Sequence, residues 1–243
     1  MKTIGIIPSR YASSRLPGKP LIDILGKSMV QRVYEQCLKS EKLDKVIVAT
    51  DDQRIYRHVI EFGGEVTMTS EKHQSGTDRC NEVMNQQKER YDVVVNIQGD
   101  EPFISPSQID LLIDCFEEDK QTKIATLVKR IIHSKELTDP NKVRVVRDSN
   151  GYALYFSRQV IPFLRETKVE SWVEKFVYYK HIGMYSYKTE ILNELADLPP
   201  SKLEQAEMLE QLRWLENGYR IKTAITEEEA FSIDTPEDLS QLL

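Results

Sequence analysis

Short apolar, β-branched runs alternate along the first half of the chain with longer stretches whose apolar positions recur every three or four residues. The first spacing is that of strands, the second that of amphipathic helices. Thr3–Pro8, Lys45–Thr50 and Asp92–Gln98 read as strands, and the consecutive Val93, Val94 and Val95 predict one buried on both faces. Met29–Ser40, Gln53–Phe62 and Thr77–Glu89 read as helices between them, with Gly63-Gly64 stopping the second. Ser105-Pro106 predicts another helix start, with Ser105 as N-cap, Pro106 in the first turn and Gln108 closing a capping box.

After about residue 122 the texture changes. Ile124–Arg130, Val143–Arg147 and Tyr152–Phe156 predict antiparallel strands joined by polar turns such as Asp148–Gly151. Phe176–Tyr187 is a tyrosine-rich strand, and Ile221–Ile225 a late one. Ser201–Asn217 reads as one helix, capped by Ser201 with Glu204 and stopped at Gly218; Thr235–Leu243 closes the chain as another. The pattern predicts a single α/β domain with a mainly parallel sheet flanked by helices. Within it, about 1–122 forms the core and about 123–243 a smaller, antiparallel strand-rich part for substrate and assembly.

Charge narrows the function. The 243 residues carry 33 Lys and Arg against 39 Asp and Glu, a formal net charge of −6, so a chain that lives on nucleic-acid backbone is not expected. Three cysteines without metal-ligand spacing suit a reducing compartment. The apolar start ends at Ser9 and Arg10, too short for a secretory core, and no run of about 18 apolar residues suggests a membrane span. A soluble, cytoplasmic protein is the expectation.

Ligands of open α/β sheets bind beyond the carboxyl ends of the strands. Each early strand here ends in a polar cluster. The first runs into Ser9-Arg10 and on to Arg15 and Gly18-Lys19, three cations in ten residues that either wrap a polyphosphate or form a solvated basic loop. The second ends at Thr50-Asp51-Asp52, the third at Gln98-Gly99-Asp100-Glu101. Asp100 is placed either for Mg²⁺, which takes one or two carboxylates plus phosphate oxygens and water, or as a turn acid. Asp234 precedes a helix already capped by Thr235 and Asp238, which leaves it free for a second metal ligand or for the helix dipole. Ser75, with Asp78, fits a capping box, and Gly76 lets a ligand approach the backbone. Glu207, Glu210 and Gln211 share one face of the expected helix. Neither P-loop nor G-x-G-x-x-G is present, and Ser-His-Asp, H-E-x-x-H and paired C-x-x-C patterns are absent too.

The stretch Ile7–Leu21 resembles the signature of the 3-deoxy-D-manno-octulosonate (Kdo) cytidylyltransferases, the CMP-Kdo synthetase family. His73–Arg79, Asn96–Pro102, Tyr152–Arg158, His181–Tyr185, Leu203–Arg213 and Asp234–Leu239 resemble it as well, in the family's order over nearly the whole chain. Ser9 stands where alanine is usual, Asp78 where glutamate is common, and Phe231-Ser232-Ile233 replaces a glycine-containing approach to Asp234. The resemblance implies a Rossmann-like nucleotidyltransferase fold and transfer of CMP from CTP to the anomeric hydroxyl of Kdo, releasing pyrophosphate. It also implies a place in lipopolysaccharide biosynthesis and a homodimer. By analogy Ser9, Arg10, Arg15, Lys19, Ser75, Gly76 and Arg79 bind the nucleotide, and Asp100 and Asp234 bind Mg²⁺. Gln98, Arg158, His181, Tyr185, Glu210 and Gln211 then hold the sugar, with Arg158 facing its carboxylate through the guanidinium fork. Arg10, Lys19, Asp100 and Asp234 carry the catalytic part. A related sugar acid such as sialic acid or an 8-amino Kdo, and a non-catalytic nucleotide-binding module, are the alternatives.

Overall fold

The β-branched runs form strands and the 3.6-residue patterns form helices, alternating one for one from α1 to β8. In this computed structural model, which describes residues 1–12, 16–229, 231–233 and 235–240, the order begins β1 (Thr3–Ser9), β2 (Asp23–Ile24), β3 (Lys27–Ser28) and α1 (Met29–Cys37). It continues β4 (Lys45–Thr50), α2 (Gln53–Glu61), β5 (Val66–Met68), α3 (Gly76–Gln86), β6 (Val93–Asn96) and α4 (Pro106–Glu118). Then come β7 (Ile124–Ile131), α5 (Ser134–Thr138), β8 (Arg144–Arg147), β9 (Ala153–Ser157), α6 (Trp172–Lys175) and β10 (Tyr178–Lys188). The last elements are α7 (Thr189–Asp197), α8 (Lys202–Glu207), α9 (Gln211–Glu216), β11 (Ile221–Ile225) and α10 (Pro236–Ser240).

The chain divides into two compact units that interleave in sequence. One comprises 1–113, 186–196 and 230–243; the other comprises 114–185 and 197–229.

In the first unit the sheet order is β6-β1-β4-β5, every pairing parallel. Parallel strands must be covered on both faces, and accordingly Val93, Val94, Val95, Ile4 and Ile6 are fully buried. Asp52 caps α2 through Arg54 N–H at 2.8 Å. Ser75 and Asp78 form the capping box at the start of α3, as the sequence predicts. Residues 186–196 rejoin this unit through Thr189 N–H on the Asp92 carbonyl, 3.0 Å away, and Tyr187 Oη beside Thr77 Oγ1 at 3.3 Å.

The second unit departs from expectation in two places. β7 pairs in parallel with β11, Ile124 opposite Ile221 through Val128 opposite Ile225, where an antiparallel strand was expected. Their common direction follows from the helices and loops that carry the chain back between them, a connection that alternation along a single strand does not encode. β8 pairs antiparallel with both β9 and β10, and Tyr152 bridges antiparallel to Lys222. The helix expected over Ser201–Asn217 is also broken. α8 stops at Glu207, Met208 turns left-handed at φ 53°, and α9 starts again at Gln211. The capping box of Ser201 with Glu204 is formed, and Glu204 additionally receives Arg213 Nη2 at 2.6 Å.

Candidate active site

Three strand ends of the first unit carry its candidate residues. At the end of β1, Ser9 is buried and Arg10 is exposed, with no hydrogen bond or ion pair among the described residues. The loop beyond closes when Gly18 N–H meets the Tyr11 carbonyl at 3.0 Å. Gly18 takes φ 70°, which favours glycine, and a Cβ there would lie a tight 3.1 Å from the Tyr11 ring. Arg54 stacks on the other reach of Tyr11, its guanidinium carbon 3.3 Å from the ring centroid. Arg15 lies outside the described residues.

Lys19 follows Gly18 into a short 3₁₀ turn and is buried; its Nζ meets Asp100 Oδ2 at 2.7 Å. The first and third polar clusters thus converge as an ion pair, at the ends of β1 and of neighbouring β6. Beside it Glu101 is buried, its Oε2 lacking a partner among the described residues. Burial pushes its carboxyl up to about 7, the charge of Asp100 adding and that of Lys19 opposing. Ile233 donates its N–H to the Asp100 carbonyl at 2.9 Å, so the chain just before Asp234 is fixed at the same strand end. Asp234 itself lies outside the described residues.

Ser75 Oγ is occupied as the cap of α3. Gly76 packs on Asn96 of β6, where a Cβ would come within 3.0 Å of the amide nitrogen. Arg79 is buried, its guanidinium held by Asp51 and, at 2.7 Å, by Thr69 Oγ1. Asp51 belongs to the second polar cluster, so that cluster joins the first unit's site as a brace for α3. Gln98 is half-buried just past β6.

The second unit carries the other candidates. Arg158 is cradled by main-chain carbonyls: Nε to Glu207 at 2.7 Å, Nη1 to Pro140 at 3.3 Å, Nη2 to Met208 at 3.4 Å. No carboxylate is salt-bridged to it among the described residues. The Glu207 carboxylate instead accepts the Arg158 N–H at 2.9 Å and the Ser157 hydroxyl at 2.6 Å. Behind it Arg144, fully buried, donates to the carbonyls of Leu137, Lys142 and, at 2.7 Å, Arg158 itself. His181 packs between Phe156 and Tyr185, with ring centroids at 5.2 and 5.3 Å. Its Nε2 lies 2.9 Å from Thr126 Oγ1, whose hydroxyl donates to the Met184 carbonyl at 2.8 Å. Burial holds the imidazole down to about 3, so it is neutral in ordinary buffers. Tyr185 stands edge-on to Trp214 at 5.0 Å. Gln211 is buried with Nε2 unpartnered among the described residues, and Glu210 precedes it at the start of α9. The break at Met208 takes Glu207 off the face that Glu210 and Gln211 begin.

Sequence reasoning missed Arg144, Thr126, Pro140 and Met208. Nothing in their local pattern marks them, since each acts through a contact distant along the chain.

The cytidylyltransferase family pattern matches residues 4–223. This chain belongs to that family. A relative from Parabacteroides distasonis named 3-deoxy-manno-octulosonate cytidylyltransferase is 55% identical, covering 100% of this chain and 97% of its own length. One of the same name from Bacteroides thetaiotaomicron is 54% identical over 98% of this chain and 96% of its own. A solved structure of a CMP:2-keto-3-deoxy-manno-octonic acid synthetase complexed with CTP superposes with a TM-score of 0.92 at 42% identity, covering 100% of this chain and 97% of that one. A 4-diphosphocytidyl-2C-methyl-D-erythritol synthase from Anaerococcus prevotii, at 13% identity and a TM-score of 0.61, shares the fold. As a cytidylyltransferase the chain is an enzyme of the nucleotidyltransferase class, with the mainly parallel α/β sheet of such enzymes. Among the described residues no helix is long and apolar enough to cross a membrane.

Proposed function

We propose that this enzyme transfers CMP from CTP to the anomeric hydroxyl of Kdo, releasing pyrophosphate and activating the sugar for lipopolysaccharide assembly in the cytoplasm. The observation that carries this reading is the 55% identity, over the whole chain, to a relative bearing that activity in its name. Arg158 supports the acidic acceptor: a guanidinium bound only to neutral carbonyls keeps its charge for a carboxylate.

The anomeric hydroxyl attacks the α-phosphorus in line and pyrophosphate departs. Both reactants are anions, so neutralisation and alignment dominate the barrier. Arg10 and Lys19 neutralise the triphosphate. Gln211 offers its unpartnered amide to a sugar hydroxyl, and neutral His181 binds without charge. Asp100, a partly exposed hard-oxygen donor at the end of β6, fits a divalent cation. Among the described residues no cluster of three or more His, Cys, Asp or Glu is set for a metal. Asp100, with Asp234 as second candidate, would therefore hold Mg²⁺ together with substrate phosphates and water. When bound it supplies positive charge and lowers the pKa of an attached oxygen. A homodimer is part of the same reading, and light scattering at micromolar concentration should give twice 28.2 kDa.

Pyrophosphate release from CTP and Mg²⁺, with Kdo, with sialic acid and with neither, tests the reaction. Release with Kdo alone is expected. Release with sialic acid alone, or with neither acid, overturns the reading.

A further inference from the structure

The exit of α8 is made by an unusual residue. Met208 stands left-handed at φ 53° and ψ 49°, the position where helices commonly place glycine because a Cβ crowds the backbone. Packing does not compensate, for the side chain is 78% exposed. The turn changes which way the backbone faces. The N–H groups of Met208 and Leu209 both close on the Glu204 carbonyl and end the helix. Leu212, which a continuous helix would bond to Met208, donates to Leu209 instead. The carbonyls of Glu207 and Met208 are then presented to the Arg158 guanidinium, while the Glu207 carboxylate grips the main chain of the same residue. One strained helix exit thus holds Arg158 by both its backbone and its fork.

We propose that Met208, through its left-handed backbone, is a positioning residue that aims the Arg158 guanidinium at the carboxylate of the acceptor sugar. The inference rests on the reading of Arg158 given under the proposed function. Its cause is conformational: the thioether contributes nothing, and the φ of residue 208 contributes the alignment.

The experiment compares Met208→Val with Met208→Asn in steady-state turnover of CTP and Kdo. Both remove the thioether at an exposed position, but asparagine tolerates the left-handed region and a β-branched residue does not. The Val variant should show a KM for Kdo about fivefold above that of the Asn variant, the scale of a left-handed penalty on a bulky residue. The KM for CTP should be the same in both. In an Arg158→Lys background, where the fork is gone, the difference between Val and Asn should vanish. Equal Kdo KM values for Val and Asn, a parallel rise in the KM for CTP, or a difference that persists in the Arg158→Lys background would each overturn the proposal. Wild-type enzyme with no Kdo-dependent turnover would overturn the functional reading itself, and the positioning role with it; normal wild-type turnover with equal variants would overturn the positioning role alone.

Discussion

At the residue scale the site is a set of charges offset in some places and left open in others. Lys19 and Asp100 offset each other at 2.7 Å, while Arg10 has no partner among the described residues. Asp100→Asn keeps the shape and removes the anionic oxygens, so turnover should fall at least about a hundredfold with the melting temperature little changed. Wild-type-like pyrophosphate release in that variant would remove Asp100 from the chemistry. His181 gives a pH prediction with a definite sign. Its folded-state pKa is depressed to about 3 by burial, so above about 6.5 both folded and unfolded states are neutral. Below that the unfolded chain takes the proton and the folded chain does not, and stability falls with pH by up to about 1.4 kcal/mol per unit. Glu101, raised to about 7, acts with the opposite sign: it stabilises most below about 4.5 and loses that contribution as pH rises through 7. Comparing wild type with His181→Gln cancels the Glu101 effect. Urea titrations at pH 5 and pH 7 should show a smaller drop in midpoint for the variant, and an equal drop would show that the imidazole is not buried neutral. Arg10, Lys19 and Asp100 were legible in the sequence because they lie in the polar clusters that follow strand ends, whereas Arg79, Arg158 and Glu210 came to the site only with the family resemblance. The partners were not legible: Arg79 meets Asp51, and Arg144 meets the Arg158 carbonyl, through contacts that only the fold creates.

At the element scale, legibility tracked the strength of local rules. The capping boxes at Ser75 and Ser201 formed as their S-x-x-[DE] spacing dictates. The parallel pairing of β7 with β11 and the break at Met208 did not announce themselves. Pairing direction is set by the path of the intervening chain, and the break lacks the glycine or proline that normally marks one. Glu204 shows what the cap is worth beyond its own helix. It accepts the Ser201 N–H at 3.0 Å and both Nε and Nη2 of Arg213, at 2.8 and 2.6 Å, in a largely buried pair. Ser201→Ala removes one cap bond and should cost about 1 kcal/mol. Glu204→Ala removes the reciprocal cap and leaves the Arg213 guanidinium short of its carboxylate, and should cost about 2–3 kcal/mol. Chemical denaturation of the two variants side by side checks the order, and equal costs would show that the Arg213 pair adds nothing.

At the scale of the whole molecule, a chain of formal charge −6 must bind a nucleotide triphosphate. General attraction cannot do this, so the proposed reaction makes affinity depend on local cations and on Mg²⁺ carried in with the phosphates. Binding to the folded state alone stabilises it: CTP at about a hundred times its Kd adds about 2.7 kcal/mol. For a chain of 243 residues that corresponds to a rise in melting temperature of about 5–10 °C. CTP with Mg²⁺ should produce that rise. The same CTP with a chelator in excess should produce a clearly smaller one, because the triphosphate then meets Asp100 without an intervening cation. Lys19→Met should shrink the rise with Mg²⁺ present, since it removes the buried ammonium that the strand-end carboxylate holds in place. A shift identical with and without chelator would refute Mg²⁺ at Asp100 while leaving the nucleotide site standing; a shift unaffected by Lys19→Met would move the triphosphate away from the end of β1.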